Sequence, residues 1–191
     1  ERFPLRSWNV LRKGHPLVHL GYTITEETVK GVKHRYMSQA DDVVQFLQDA
    51  EIQVTKHVGC PMPDKDHMLN DDTPLTQEDK KYFKSLVGSL SFYSISMRWD
   101  IAHAVTRVQS FSESPTQGAL NAAIRIAMYV GNTCQDFKLG GPVKHAGTNE
   151  MQYYSDSDHA GDTGVSLQSR AGCMILMNTM PVHWRSKKQP K

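Results

Sequence analysis

The chain has 191 residues, 39% of them hydrophobic and 22% charged, with a formal net charge of +2. That balance excludes a disordered chain and a globally basic one, and it leaves room for one sizeable domain or two small ones. No apolar run approaches the roughly 18–20 residues that cross a bilayer, and no charged-then-apolar leader opens the chain, so no membrane partner or secretion is expected.

Cys60, Cys134 and Cys173 are odd in number and form no CxxC pair, which argues against a disulfide framework or a zinc site. His57 and Cys60 lack two further ligands. The usage fits a reducing compartment, cytoplasm or nucleus. Basic residues gather locally: Arg2, Arg6, Arg12 and Lys13 near the start, and Arg185, Lys187, Lys188 and Lys191 at the other end. On charge alone, solvated tails and a phosphate-facing surface are equal readings. A first residue of Glu1 and a basic end at Lys191 suggest a piece of a longer polypeptide.

Residues 1–16 carry Pro4, Gly14 and Pro16 and are expected to be irregular. Val18, Leu20, Tyr22 and Ile24 alternate with polar residues, the period of a half-buried strand. Glu26-Glu27 breaks the pattern, and 29–37 returns as a second strand around Gly31, which makes a hairpin. Ser38, with Asp41 three residues on, reads as a helix start, and Ala40, Val43, Val44, Leu47 and Ala50 as its apolar face. Residues 55–74 are rich in Pro, Gly, Asp and Asn and read as a loop or linker. Thr76 restarts helix, with Asp79 completing a capping box and Tyr82, Phe83, Leu86, Val87, Leu90, Tyr93 and Met97 forming a stripe. After a break near Trp99-Asp100, Ile101, Val105 and Val108 continue a second helix. Ser114-Pro115-Thr116-Gln117 offers an N-cap serine and a first-turn proline for a third, ending near Gly131. The glycines at 140, 141 and 147 make the next stretch irregular. Then 152–156, 171–177 and 182–186 read as three strands of an antiparallel meander, with 161–169 as a polar turn region; 171–177 is apolar on both faces and therefore central.

Asp156, Asp158 and Asp162 follow the first of these strands. Paired Mg²⁺ ions in a nuclease need several carboxylates, one of them on a rigid strand, and Asp156 between two serines suits that role. Spacing alone favours the plainer reading, in which the three acids end a strand and open a turn. Asp41-Asp42, in the first turn of a helix, and Asp71-Asp72, in a Pro-rich loop, lack the flanking strands of a polymerase centre.

In register, the motifs resemble the copia-type LTR retrotransposon Pol polyprotein, from the end of its reverse transcriptase into its ribonuclease H. His19-Leu20-Gly21-Tyr22-Thr23-Ile24 resembles the family's last palm hairpin, Met37-Ser38-Gln39 its L-S-Q, and Cys60-Pro61-Met62-Pro63 its T-P-M-P. Residues 82–90 resemble Y-R-S-L-V-G-S-L and 98–105 R-P-D-I-A-x-A-V. Residues 153–162 resemble Y-S-D-A-D-W-A-G-D, and 183–190 x-W-x-S-K-K-Q-P. Trp99 stands where the family has proline, and His159 where it has tryptophan.

The resemblance implies an α+β chain: a β-hairpin and helix, about three helices, then the meander of an incomplete ribonuclease H-like fold. It implies residues 1–63 as palm end and thumb-like start, 64–75 as linker, 76–149 as a helical thumb or connection, and 150–191 as partial ribonuclease H. Asp156 would be the first nuclease acid and a Mg²⁺ ligand; the role does not carry to Asp158 or Asp162. Arg185, Lys187 and Lys188 would contact nucleic acid, with an RNA–DNA hybrid or template–primer duplex and the rest of the Pol polyprotein as partners. The polymerase aspartates and later nuclease acids would lie outside this sequence, so the piece is expected to be inactive alone. The alternative is a retroelement-derived module that binds nucleic acid or protein without catalysis. A third reading is a functionless remnant.

Overall fold

A computed structural model describes residues 11, 14–62, 67–143, 147, 149–157 and 169–189. Among these the chain is α+β, with four α-helices and two antiparallel sheets. None of the helices is long and apolar enough to cross a membrane.

The first sheet opens with β1 (Leu17–His19), β2 (Tyr22–Val29) and β3 (Val32–Ser38). The alternation that reads as one strand from Val18 is interrupted: Leu20 and Gly21 both have positive φ and turn β1 back onto β2. Glu26 and Glu27 do not end the strand. They lie in the middle of β2 because Lys33 and Arg35, on the neighbouring strand, bind the Glu26 carboxylate at 3.1 and 3.2 Å. Those two hydrogen bonds, Lys33 first, hold the Glu26 carboxyl below its usual range.

Helix α1 (Ala40–Asp49) follows at once. Its N-cap position is Gln39, one residue later than the sequence suggests, and Ser38 accepts the Ala40 N–H at 3.1 Å. Helix α2 (Gln77–Ser96) starts as its sequence dictates: Thr76 accepts the Asp79 N–H at 3.1 Å and donates its hydroxyl to the Asp79 carboxylate at 2.6 Å. A short 3-10 turn, Trp99–Ile101, leads into α3 (Ala102–Gln109). Helix α4 (Gln117–Thr133) has its cap two residues beyond the expected one. Thr116 pairs with Pro74 in extended conformation and is itself the N-cap, so Pro115 lies outside the helix. The first free N–H groups of α4, at Gln117 and Gly118, reach the carbonyls of Thr73 and Asp71 at 2.8 and 3.1 Å. The loop before α2 is thereby bound to the start of α4.

The core lies among the helices. Val43 and Leu47 of α1, Phe83, Leu86 and Leu90 of α2, and Val105 and Val108 of α3 surround an alanine-rich face of α4 made by Ala119, Ala122, Ala123 and Ala127. Small side chains let the other helices come close. Gly131 continues that face inside α4, where a Cβ would meet Leu47 at 2.7 Å and Val54 at 2.9 Å. Tyr93 carries a polar group into this core. Its O–H donates to the Asp42 carboxylate at 2.8 Å, and burial together with that carboxylate pushes the phenol well above its ordinary pKa.

After α4 the chain returns to the first sheet as β4 (Leu139–Pro142), paired with β3. The glycines here make a strand, not a loop. Gly140 sits at φ +153°, and a Cβ there would fall 2.0 Å from the Arg35 carbonyl oxygen. The second sheet is the expected meander: β5 (Met151–Ser157), β6 (Arg170–Met177) and β7 (Met180–Lys188), with β6 central.

Gly140→Ala should lower stability by about 1–3 kcal/mol, the scale of a residue forced into strained backbone. Gly88→Ala, at an exposed α2 position where an added Cβ has nothing within 4 Å, should raise it by about 0.5–1 kcal/mol. Urea melts of the two variants give opposite shifts in midpoint.

Candidate functional site

Strand alternation assigns the meander two faces. Asp156 pairs with Gly172 and Gly172 with Ser186; Tyr154 pairs with Met174 and Met174 with Trp184. Tyr154, Asp156, Gly172, Trp184, Ser186 and Lys188 therefore share one face. Tyr153, Ser155, Cys173, Arg185 and Lys187 share the other. The expected basic trio is thus divided. Arg185 and Lys187 stand on the outward face with Tyr153, which is 65% exposed, while Lys188 lies on the Asp156 face beside Arg170.

The Asp156 face is turned toward the helices. The Trp184 indole N–H donates to the Ser94 carbonyl of α2 at 2.6 Å. Arg170, 3% exposed, donates to the Ser110 hydroxyl at 3.1 Å. Thr106 of α3 approaches the Ser186 carbonyl at 3.5 Å. These anchors hold β7 and the start of β6 against α2 and α3. β5 lies two strand spacings from β7, about 10 Å. A wedge-shaped cleft of about 470 Å³ opens on this face. The helical side supplies Trp99, Ala102 and His103; the sheet supplies Tyr154, Asp156, Arg170, Gly172 and Trp184. A second hollow, about 510 Å³, lies over β5–β7 and is lined by Tyr153, Ser155, Cys173, Arg185 and Lys187 among others.

Asp156 is exposed and is, among the described residues, the one carboxylate lining the first cleft. Asp158 and Asp162 lie outside the described residues, as do Arg2, Arg6, Arg12, Lys13 and Lys191. Among the described residues no three His, Cys, Asp or Glu side chains are placed to hold a metal ion. A Mg²⁺ ion demands near-octahedral oxygen coordination, and the described residues, with one carboxylate and an arginine in the same cleft, do not fit it by themselves. Three of the four acids in the other pairs are taken up structurally. Asp41 accepts from Thr23 at 3.3 Å, Asp42 from Tyr93, and Asp71 from the Thr73 N–H at 3.1 Å.

Trp99 and His103 enter the cleft from a segment more than fifty residues before Asp156. The sequence marks Trp99 only as a departure from a family proline, and it gives no sign that His103 faces the meander. Trp99 is 38% exposed, and its ring lies 6.4 Å from that of Phe137. Phe137 is covered in turn by the Arg98 guanidinium at 4.5 Å. Arg98 is fixed by Asp100 through bonds of 2.7 and 2.9 Å.

The chain is similar to two retrovirus-related Pol polyproteins of Arabidopsis thaliana. It is 32% identical to that of transposon RE1 and 29% identical to that of transposon RE2, over 178 residues, or 93% of this chain, in each case. It spans 12% of the length of each. It is also 35% identical, over 107 residues, to secreted RxLR effector protein 161 of Plasmopara viticola, which covers 56% of this chain and 72% of that protein. No family model matches the chain, and no solved structure does.

Trp184→Phe keeps an aromatic ring but removes the donor to Ser94. It should cost about 1 kcal/mol and speed hydrogen exchange in β7 more than in α4, read by mass spectrometry of peptides from each.

Proposed function

This chain belongs to the retrovirus-related Pol polyproteins of copia-type transposons, and from that premise we propose that it binds an RNA–DNA hybrid or template–primer duplex without cutting it alone. The full polyprotein would copy RNA into DNA and hydrolyse the RNA of the hybrid, with the β5–β7 meander as the opening strands of a ribonuclease H-like domain. The observation that carries the reading is the position of Asp156: exposed, at the end of an outer strand, in a cleft between the meander and the helices. In the polyprotein Asp156 would be one ligand of a Mg²⁺ site whose other carboxylates come from outside the described residues. That metal would supply charge stabilisation at the scissile phosphate. Among the described residues Asp156 has no carboxylate neighbour in the cleft.

Arg185 and Lys187, exposed and side by side on β7 with no acid on their own face of β5–β7 among the described residues, would meet the phosphate backbone. Lys188, on the inner face, is the weaker contact. The place of action would be the cytoplasm or nucleus.

A second reading is a retroelement-derived module that keeps the fold and binds nucleic acid or protein with no catalytic partner. The likeness to the Plasmopara viticola protein named as a secreted effector favours it, since part of this sequence recurs there in a much shorter chain.

A labelled RNA–DNA hybrid titrated at several salt concentrations tests the proposal. Binding should weaken steeply with salt, and removing the charges of Arg185 and Lys187 together should reduce the log–log slope by about 2. Asp156→Asn should leave binding intact, and no cleavage should appear with Mg²⁺. Cleavage that Asp156→Asn abolishes would overturn the non-catalytic reading; absence of binding at low salt would overturn both.

A further inference from the structure

The Asp156 cleft contains two features that neither the phosphate-binding reading nor the fold requires. Gly172 occupies the middle of the central strand, level with Asp156 and Ser186. A glycine weakens a strand interior and commonly marks a bulge or the close approach of another group. Here the bulge is elsewhere, between Ile175 and Leu176. A Cβ at 172 would meet nothing nearer than the Arg185 carbonyl oxygen at 4.0 Å. Neither the turn of the backbone nor crowding requires glycine at this position. What it does is leave the cleft floor bare between Asp156 and Ser186.

The second feature is aromatic. Trp99 at the helical rim and Tyr154 on the sheet stay 38% and 55% exposed although both line the cleft. Trp184 is fixed below them by its bond to Ser94. Trp99 is braced from behind by Phe137 and the Arg98–Asp100 pair, so its exposure does not reflect a loose side chain. Exposed, braced aromatic rings beside a glycine floor fit a flat π-system. A volume of about 470 Å³ suits one small-molecule-sized group and not the width of a duplex.

We propose that this cleft takes an unpaired nucleobase, stacked against Trp99 and Tyr154 over Gly172. The proposal rests on the nucleic-acid reading above and adds to it a single-strand site on the inner face, which borders Arg185 but not Lys187. A strand end or a displaced nucleotide would enter here while the duplex lies against the outer charges. Stacking on an aromatic ring is tolerant of base identity, so base type should matter little.

The test uses the whole chain and three fluorescent probes in polarisation titrations: a short single-stranded oligodeoxynucleotide, an abasic oligomer of equal length, and a blunt RNA–DNA hybrid. The oligodeoxynucleotide should bind more tightly than the abasic oligomer. Trp99→Ala should weaken the base-bearing strand about tenfold, the scale of one lost stack, and leave the abasic strand and hybrid unchanged. Trp99→Phe should recover most of the loss. Gly172→Val, with an unchanged circular dichroism spectrum and melting midpoint, should weaken the same probe by filling the floor; if it does not fold, the Trp99 pair decides alone. Equal binding of base-bearing and abasic strands, or indifference to Trp99→Ala, overturns this inference while normal hybrid binding preserves the phosphate reading. Failure of all three probes to bind overturns both.

Discussion

The attachment of the meander to the helices is the constraint on which the rest depends. It is made by the Trp184 indole on the Ser94 carbonyl and by the buried Arg170 on Ser110. Hydrogen bonds of this kind contribute about 1 kcal/mol each when paired and cost more when one buried partner is lost. Their larger effect is geometric. They seat β7 on α2 and α3 and leave β5 overhanging, so that Asp156 faces a wedge whose far wall is helical. The helical core makes that wall rigid. The alanine face of α4 lets α1, α2 and α3 close around it, and Arg98, set among Asp100, Thr133 and the Val130 carbonyl, fixes the turn that presents Trp99.

Much of this architecture is legible in the sequence because it is local. The Thr76–Asp79 capping box, the α2 stripe and the meander with a central β6 follow from periodicities of 3.6 and 2 and from capping chemistry. The same period of 2 separates Arg185 and Lys187 from Lys188. Read as a cluster of charge, those three residues conceal the two faces that the strand gives them.

The differences come from long-range pairing. Glu26 stays in a strand because Lys33 and Arg35 neutralise it from across the hairpin. The start of α4 is set by Pro74 and Thr73, some forty residues earlier, so Thr116 displaces Ser114 as cap. Gly140 and Gly141 form a strand because β3 offers an open edge. The cleft depends most on distant parts of the chain. Asp156 could be singled out by motif, but Trp99 and His103 are joined to it only by the packing of α3 on the sheet, which no spacing in the sequence encodes.

The central claim is that nucleic acid engages a cleft with both a helical and a sheet wall. Hydrogen–deuterium exchange of the chain, free and with an RNA–DNA hybrid bearing a single-stranded overhang, tests it most directly. The account predicts that amides at 99–103 and at 154–157 and 170–174 slow together on binding, alongside those of β7. Protection confined to β7, with residues 99–103 exchanging as in the free chain, would contradict it.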